Sequence, residues 1–541
     1  MILKKLIFGC MVAAGAQLFA GKVDLADGWE FRREGGDWRK VTVPHDWAIQ
    51  GPFGKENDRQ VVRIVQDQET KESVKTGRTG GLPWLGRGEY RRMLAWPKGA
   101  KKARLYFHGV MSEPEVFLGG EKIGEWKLGY APFSVELKPF EGSRELVVKC
   151  FNRPLSSRWY PGAGLYRPVE LKWDEVVRPE EVQIVKGERV KGGKGERAVM
   201  RVFSPLGDRT VEIENPVLWS PETPHLYTLE PEGIRYGIRD IEYGADFFKL
   251  NGVRRKFKGV CLHHDLGPFG AAFDEWAFRR QVTLLKEMGC DSIRTSHNIP
   301  EERMLDICDE MGMMVIVEAF DAWELPKVKN GYNLFFKDWW KRDLEAMVRM
   351  ARNHPCVVMW SSGNEVPDQR TTRGAELVKT LQDFIHSLDA EKTRLVSLGA
   401  STMPEAIESG VIAAMEIPAV TYRLPFYEAI HAVDPKKPVL GINEDVSVRL
   451  AYNGGIFFGH TNGQDKDGGF AAIGGERHLT LLDANGDKID PVAMSTRPLD
   501  ADKKGPLRPQ GYYPVLSEPP GPLERRIISK PISLGIRAID G

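Results

Sequence analysis

CVVMWSSGNE, residues 356–365, is a run of apolar and small residues that ends on an amide and a carboxylate. Such a run suits a strand buried on both faces, as in a parallel sheet. Its flanks decide the fold. KDWWKRDLEAMVRMAR (337–352) lies before it and RGAELVKTLQDFIHSL (373–388) after it, and both repeat apolar residues at helical spacing. The alternation continues upstream: RKFKGVCL (255–262) precedes DEWAFRRQVTLLKEMG (274–289), DSIRTS (291–296) precedes PEERMLDICDEMG (300–312), and MVIVEAF (314–320) precedes the 337–352 helix. Downstream, RLVSL (394–398), IAAMEIPAVTY (412–422) and PVLGINE (438–444) extend the series, and NGGIFF (453–458) supplies an eighth strand. Strands alternating with helices build a parallel sheet, and eight such units close into a (β/α)8 TIM barrel, read here over 247–460. An open doubly wound sheet is the alternative, but no Gly-rich phosphate loop follows the first strand.

Upstream of the barrel the texture is all β. Residues 21–175 alternate short strand-like runs with turns, as in KARLYFHGV (102–110) and RELVVKCFN (144–152), which predicts a β-sandwich. Residues 176–246 have the same character in a smaller span. Residues 461–541 are rich in Gly, Pro and Asp and read as an irregular segment that could complete the barrel.

A chain of 541 residues fits about three domains. Its net charge of +1, mixed along the sequence, points to neither a nucleic-acid nor a membrane-surface partner and leaves a homo-oligomer open. At the N-terminus, Lys4 and Lys5 precede an apolar run from Leu6 to Ala20. That pattern is a secretory signal peptide over 1–20, and the run falls short of the ~20 residues a membrane span needs. A secreted or periplasmic protein is expected. Beyond Cys10 the cysteines are Cys150, Cys261, Cys290, Cys308 and Cys356, an odd number without a CxxC, which predicts buried free thiols rather than a disulfide framework.

In a TIM barrel the site lies at the C-terminal ends of the strands. The tips here carry His263, His264 and Asp265 on the first strand, Arg294, His297 and Asn298 on the second, and Glu318 and Asp321 on the third. Asn364 and Glu365 end the fourth, Tyr422 the sixth, and Asn443 and Glu444 the seventh. Two carboxylates on nearby tips, among amides, imidazoles and aromatics, suit glycoside hydrolysis: one protonates the leaving oxygen while the other attacks the anomeric carbon. Like charges at ~5 Å resist joint ionisation, which keeps one of them protonated. Singly these signals are soft, since a strand-end carboxylate is more often solvated and a lone histidine more often structural. The HHD run lacks the HExxH spacing of a zinc site, so neither metal nor cofactor is expected.

At this point the residues match a family. DGWEFR (27–32), VPHDWAIQGPF (43–53), GLPWLGRGEYRR (81–92), GYAPF (129–133) and SRWYPGAGLYRPV (157–169) resemble the jelly-roll sugar-binding domain of glycoside hydrolase family 2, the β-galactosidase, β-glucuronidase and β-mannosidase group. NPVLWSPETPHLYTL (215–229) resembles its immunoglobulin-like domain, and LLKEMGCDSIRTSHN, VEAFDAW and RNHPCVVMWSSGNE its barrel. HHDLGPFGAA is similar to the β-galactosidase-like branch.

The resemblance implies a retaining exo-β-glycosidase acting on terminal β-galactosyl residues. It makes Glu365 the general acid/base, Asn364 the holder of the sugar 2-hydroxyl, and Glu444 in GINED the nucleophile, with Asp445 as competitor because Glu444 falls one residue later than usual after Gly441. It places His263, His297, Tyr422, Arg158 and Asp46 along the glycone pocket, with Trp360 and Asp265 in support. The chain departs from the family pattern at its eighth strand, where GGIFFGHTNG (454–463) lacks the branch's Trp. β-Glucuronidase and β-mannosidase are the alternatives within the family, although NGQDK (462–466) and NGDK (485–488) have the wrong spacing for a uronate-binding loop. A catalytically impaired carbohydrate-binding protein is the alternative outside it.

Overall fold

The structure is a computed structural model that describes residues 21–58, 60–62, 73–75, 83–192, 195–421 and 426–442, and short strands between 447 and 489. In the first domain two antiparallel sheets face each other across one core. Gly21–Asp24, Val169–Trp173, Ala103–Phe107 and Phe133–Leu137 form the smaller sheet. Arg39–Val41, Trp29–Arg33, Gly86–Ala95, Ser143–Asn152, Glu115–Leu118 and Glu121–Glu125 form the larger. The period-2 pattern works as expected: along Phe133–Leu137 buried and exposed residues alternate strictly. Aromatic rings fill the space between the sheets, with Phe107 stacked on Phe133 at 4.7 Å and Phe31 on Trp47 at 5.2 Å.

The next residues make a three-stranded sheet, Gln183–Gly192, Gly195–Phe203 and Arg209–Glu214, and a hairpin of Tyr227–Leu229 with Ile234–Tyr236. A small core centred on Val182, Met200, Val202 and Ile238 joins them. A meander of Ile241–Gly244, Phe247–Leu250 and Val253–Arg255 follows, and Ile241, Phe248 and Leu250 pack into the core of the barrel.

Seven parallel strands, neighbours in chain order, make the barrel sheet: β1 (Gly259–Leu262), β2 (Ser292–Thr295), β3 (Met314–Glu318), β4 (Val357–Asn364), β5 (Val396–Ala400), β6 (Ile417–Val420) and β7 (Leu440–Gly441). The connecting helices are α1 (Glu275–Glu287), α2 (Glu302–Met311), α3 (Asn333–Ala351) and α4 (Thr372–Leu388). Asp274 caps α1 by accepting Ala277 N–H, and Thr371 caps α4 by accepting Gly374 N–H. All eight residues of β4 are buried, as its continuous apolar run predicts.

Two expectations are corrected. The span 412–422 is not one strand: Val411–Ala414 is helical and only Ile417–Val420 joins the sheet, because a short apolar run suits a buried helical turn as well as a strand. The eighth strand read at 453–458 does not join the barrel sheet: Gly454–Gly459 pairs antiparallel with Ser447–Ala451, and the Asn453-Gly454 dipeptide between them is a strong hairpin signal. No helix among the described residues is long and apolar enough to cross a membrane.

The first domain is fastened to the barrel by side chains that cross the seam. Tyr106 Oη donates to Glu302 Oε2 at 3.0 Å, Trp126 Nε1 to Asp343 Oδ1 at 2.7 Å, and the buried Arg167 guanidinium to the carbonyls of Ile299 and Pro300 at 2.9 and 3.2 Å.

Candidate active site

The tips of β2, β3 and β4 converge on one network. At its base is Glu318, the last residue of β3, with a fully buried carboxylate. It accepts from Arg294 Nε at 2.9 Å, from Arg294 Nη2 at 2.6 and 2.8 Å, and from Ser361 Oγ at 2.7 Å. His297 Nδ1 lies 2.8 Å from the same carboxylate. A carboxylate only accepts, which places the ring proton on Nδ1 and leaves Nε2 an acceptor. Burial pushes His297 down to about 4, Glu318 pulls against that and Arg294 adds to it, so the ring is neutral near pH 7.

From Arg294 the network reaches Asn364. Arg294 Nη2 donates to Asn364 Oδ1 at 2.9 Å, and Asn364 Nδ2 donates to Asp321 Oδ1 at 3.0 Å, so both ends of the amide are oriented. Asp321, in the loop after β3, also receives Arg158 through Nε at 2.9 Å and Nη2 at 2.8 Å. Arg158 belongs to the first domain, so this fork joins the sandwich to the barrel loop. Lys327 Nζ is the third cationic contact, at 2.8 Å from Asp321 Oδ1 and 2.6 Å from the Asn364 carbonyl oxygen. Two cations on one carboxylate hold Asp321 far below the usual carboxylate range despite its burial.

Glu365 follows directly. Its φ is +44°, in the left-handed region, where a residue with a Cβ is held at a cost of about 1–2 kcal/mol. Its N–H donates to the Gly399 carbonyl on β5 at 2.7 Å. The side chain is 6% exposed, and its Oε1 is buried without a hydrogen-bond partner among the described residues. Buried carboxylate oxygens are normally paired, so one without a partner among the described residues marks a candidate functional group.

Beside this cluster a cleft runs between the first domain and the loop after β3, lined by Tyr130, Arg158, Trp159, His297, Asp321 and Lys327 among others. Trp159 forms its aromatic wall: its ring stacks on His263 at 5.0 Å and meets His297 edge-on at 5.6 Å, and its Nε1 donates to Tyr130 Oη at 3.1 Å.

Of the residues expected from the sequence, the structure gathers Glu365, Asn364, His297 and Arg158 here, with His263 behind Trp159. Glu444, Asp445 and Tyr422 lie outside the described residues. Two others do not reach the site. Asp46 is buried and saturated, accepting from the N–H groups of Ala48, Ala163 and Ala271 at 2.8, 2.8 and 2.9 Å and from Tyr160 Oη at 2.6 Å. It ties the 160–163 and 270–271 loops together. Trp360 points out of the sheet toward the end of α4, where its Nε1 donates to Asp389 Oδ2 at 2.9 Å and Arg394 covers its ring. Among the described residues the five thiols are free, and all are buried except Cys261, which accepts from Arg294 Nη1 at 3.4 Å.

Sequence reasoning missed Lys327 and Trp159. Trp159 stood next to Arg158 in the quoted SRWY stretch, whereas nothing in the spacing of ELPKVKN marked Lys327. Among the described residues one group could hold a metal by proximity, Asp309, His354 and Cys356. It lies before β4, at the opposite end of the barrel from the tips. There His354 Nδ1 is 2.6 Å from Asp309 Oδ2, and Asp309 Oδ1 accepts from Cys356 N–H, so an ion pair accounts for the group without a metal.

Known proteins resemble this chain in sequence and fold. Residues 241–442 match the model of the glycosyl hydrolases family 2 TIM barrel domain, and residues 169–233 match the glycosyl hydrolases family 2 model. The chain belongs to glycoside hydrolase family 2. Beta-galactosidase BoGH2A of Bacteroides ovatus is 32% identical to this family 2 chain over 502 residues, covering 80% of the chain and 54% of that protein. A putative beta-glucuronidase of Formosa agariphila is 28% identical over 439 residues, covering 72% and 40%. A glycosyl hydrolase family 2 member from Bacteroides cellulosilyticus superposes with a TM-score of 0.66 at 26% identity, over 77% of this chain and 61% of that one. The chain thus spans about half the length of the curated relatives it matches.

Proposed function

We propose that this chain is an exported, retaining exo-β-glycosidase that removes terminal β-D-galactosyl residues from oligo- or polysaccharides. The observation that carries the reading is Glu365: a buried carboxyl with one oxygen unpartnered among the described residues, at the tip of β4 beside an amide fixed at both ends. In the first step Glu365 gives its proton to the glycosidic oxygen as the C1–O bond breaks, and the Glu444 carboxylate forms an ester bond to C1. The aglycone leaves as the alcohol. Water then attacks C1 and yields a proton to Glu365, and the ester bond breaks to return the Glu444 carboxylate. Asn364 holds the 2-hydroxyl, and neutral His297 offers Nε2 to a second hydroxyl.

The charge balance favours a neutral sugar. Among the described residues Arg158 and Lys327 already meet Asp321, and Arg294 meets Glu318. A uronate carboxylate would have to compete with those partners. The relative named as a beta-galactosidase supports the same choice. Export rests on the charged and apolar pattern of residues 1–20.

The test is a panel of 4-nitrophenyl β-D-galactoside, glucuronide and mannoside with wild type, Glu365→Gln and Glu444→Gln. Wild type should prefer the galactoside, and each variant should lose at least about 100-fold in kcat. Azide should rescue Glu444→Gly by forming an α-galactosyl azide. Preference for the glucuronide would replace the glycone. Galactose binding without turnover of any substrate would replace catalysis with recognition.

A further inference from the structure

Lys327 has no part in the steps above, yet its surroundings are those of a working residue. Its side chain is 1% exposed, in the loop after β3, and an ammonium buried that deeply costs several kcal/mol unless its partners are well placed. One partner is the Asp321 carboxylate. The other is the carbonyl oxygen of Asn364, which belongs to the peptide that leads into Glu365. Burial and the neighbouring Arg158 push Lys327 down to about 8, while Asp321 and the Glu365 carboxyl pull the other way. The ammonium is therefore coupled to Glu365 twice, through the backbone and through space.

The backbone coupling falls where it has most effect. Glu365 is held at φ +44°, and a strained turn keeps its direction only if the peptide leading into it is fixed. Both polar groups of that one peptide are held, the Glu365 N–H by the Gly399 carbonyl and the Asn364 carbonyl by Lys327.

We propose that Lys327 is a positioning residue for proton donation: its ammonium clamps the Asn364 carbonyl, aims the Glu365 carboxyl at the glycosidic oxygen, and places a positive charge beside the acid as it gives up its proton. This rests on the assignment of Glu365 as the acid/base. It separates Lys327 from Arg158, which shares Asp321 but, among its contacts described above, does not touch the Glu365 turn.

The leaving group provides a readout that a merely structural role would not move. Proton donation matters for a poor leaving group and hardly at all for 2,4-dinitrophenolate, which departs unprotonated. Lys327→Met should therefore lower kcat/KM on phenyl β-glycosides of the wild type's preferred sugar at least about tenfold more than on the 2,4-dinitrophenyl analogue. Lys327→Gln, which keeps hydrogen-bonding capacity and removes the charge, reads the same ratio should the Met variant fail to fold. In a Glu365→Ala background, adding Lys327→Met should leave the ratio where Glu365→Ala alone puts it.

Equal losses on both substrates would overturn the proposal and assign Lys327 to the sugar side through Asp321. A Glu365→Ala enzyme whose own loss ignores the leaving group would sink the acid/base assignment first, and the role of Lys327 with it.

Discussion

The buried pair Arg294–Glu318 offers a test in which the two halves should fail differently. Glu318→Gln keeps size and shape but takes the Glu318 countercharge away from the guanidinium, in a site where the two side chains are 3% and 0% exposed. An arginine cannot shed its proton, so the penalty for breaking such a pair, about 3–5 kcal/mol, has no escape through titration. Arg294→Met leaves the opposite orphan. A carboxylate can take a proton, and His297 at 2.8 Å can take one on its behalf once Arg294 no longer pushes it down. The folded variant then binds one proton more than the unfolded chain, so its stability falls as pH rises and its deficit is smallest in acid. The slope is at most about 1.4 kcal/mol per pH unit, or about 3 kcal/mol between pH 7 and 5. Urea unfolding followed by tryptophan fluorescence at the two pH values, each variant referred to wild type, measures both deficits. The Arg294→Met deficit should shrink on going to pH 5 and the Glu318→Gln deficit should stay put. An Arg294→Met deficit that does not change with pH, or a Glu318→Gln variant milder than it at pH 5, would refute the reasoning.

Three further outcomes follow from neighbouring contacts. Asp46→Ala strands three backbone N–H groups and the Tyr160 hydroxyl, and should cost about 3 kcal/mol or more in thermal stability, because each buried orphan costs about 1 kcal/mol or more. Trp360→Phe removes only the N–H bond to Asp389, which keeps Arg394, so stability should fall by about 1 kcal/mol and kcat/KM should hold within about twofold; a loss of about tenfold in a stable variant would return Trp360 to the site. Burial pushes His354 down, but Asp309 outweighs it and raises the ring to about 9, so the pair's contribution is complete below the unfolded value of 6.5 and is lost as pH rises through about 9. Melting temperature should drop over that alkaline window, by up to about 3 kcal/mol in stability, and Asp309→Asn should flatten the drop.

The barrel was legible because its strands are buried on both faces and its helices are not, so two periodicities alternate plainly along the chain. The strand-tip rule then turned CVVMWSSGNE into Glu365 with no knowledge of contacts. Legibility failed where the same composition serves two conformations. IAAM, in the 412–422 run, carries no signal that separates a helical turn from a strand, and the glycines after Asn453 suit a reversal better than a barrel strand. Side-chain roles were less legible than positions. Asp46 and Trp360 lie in stretches shared with the family, but their partners come from residues more than a hundred positions away in one case and from the end of the next helix in the other. Lys327 was invisible for the converse reason: a lysine in a loop reads as solvated, and only the folded chain shows its ammonium under a carbonyl.

The Arg158–Asp321 fork has a consequence for how the molecule holds together. In the function proposed above, a sugar that rested on Trp159 and bonded to Asn364 would touch the sandwich on one side and the barrel on the other. Binding is then also adhesion, and reciprocity requires that substrate tighten the joint between domains by the same factor by which a tight joint improves substrate binding. Surface changes on the sandwich far from any sugar would be felt as a weaker KM, and a bound inhibitor would shield the 153–161 loop from proteases without touching most of it. The first domain is a wall of the candidate site, and in the proposed function the strength of its attachment would be part of the affinity for sugar.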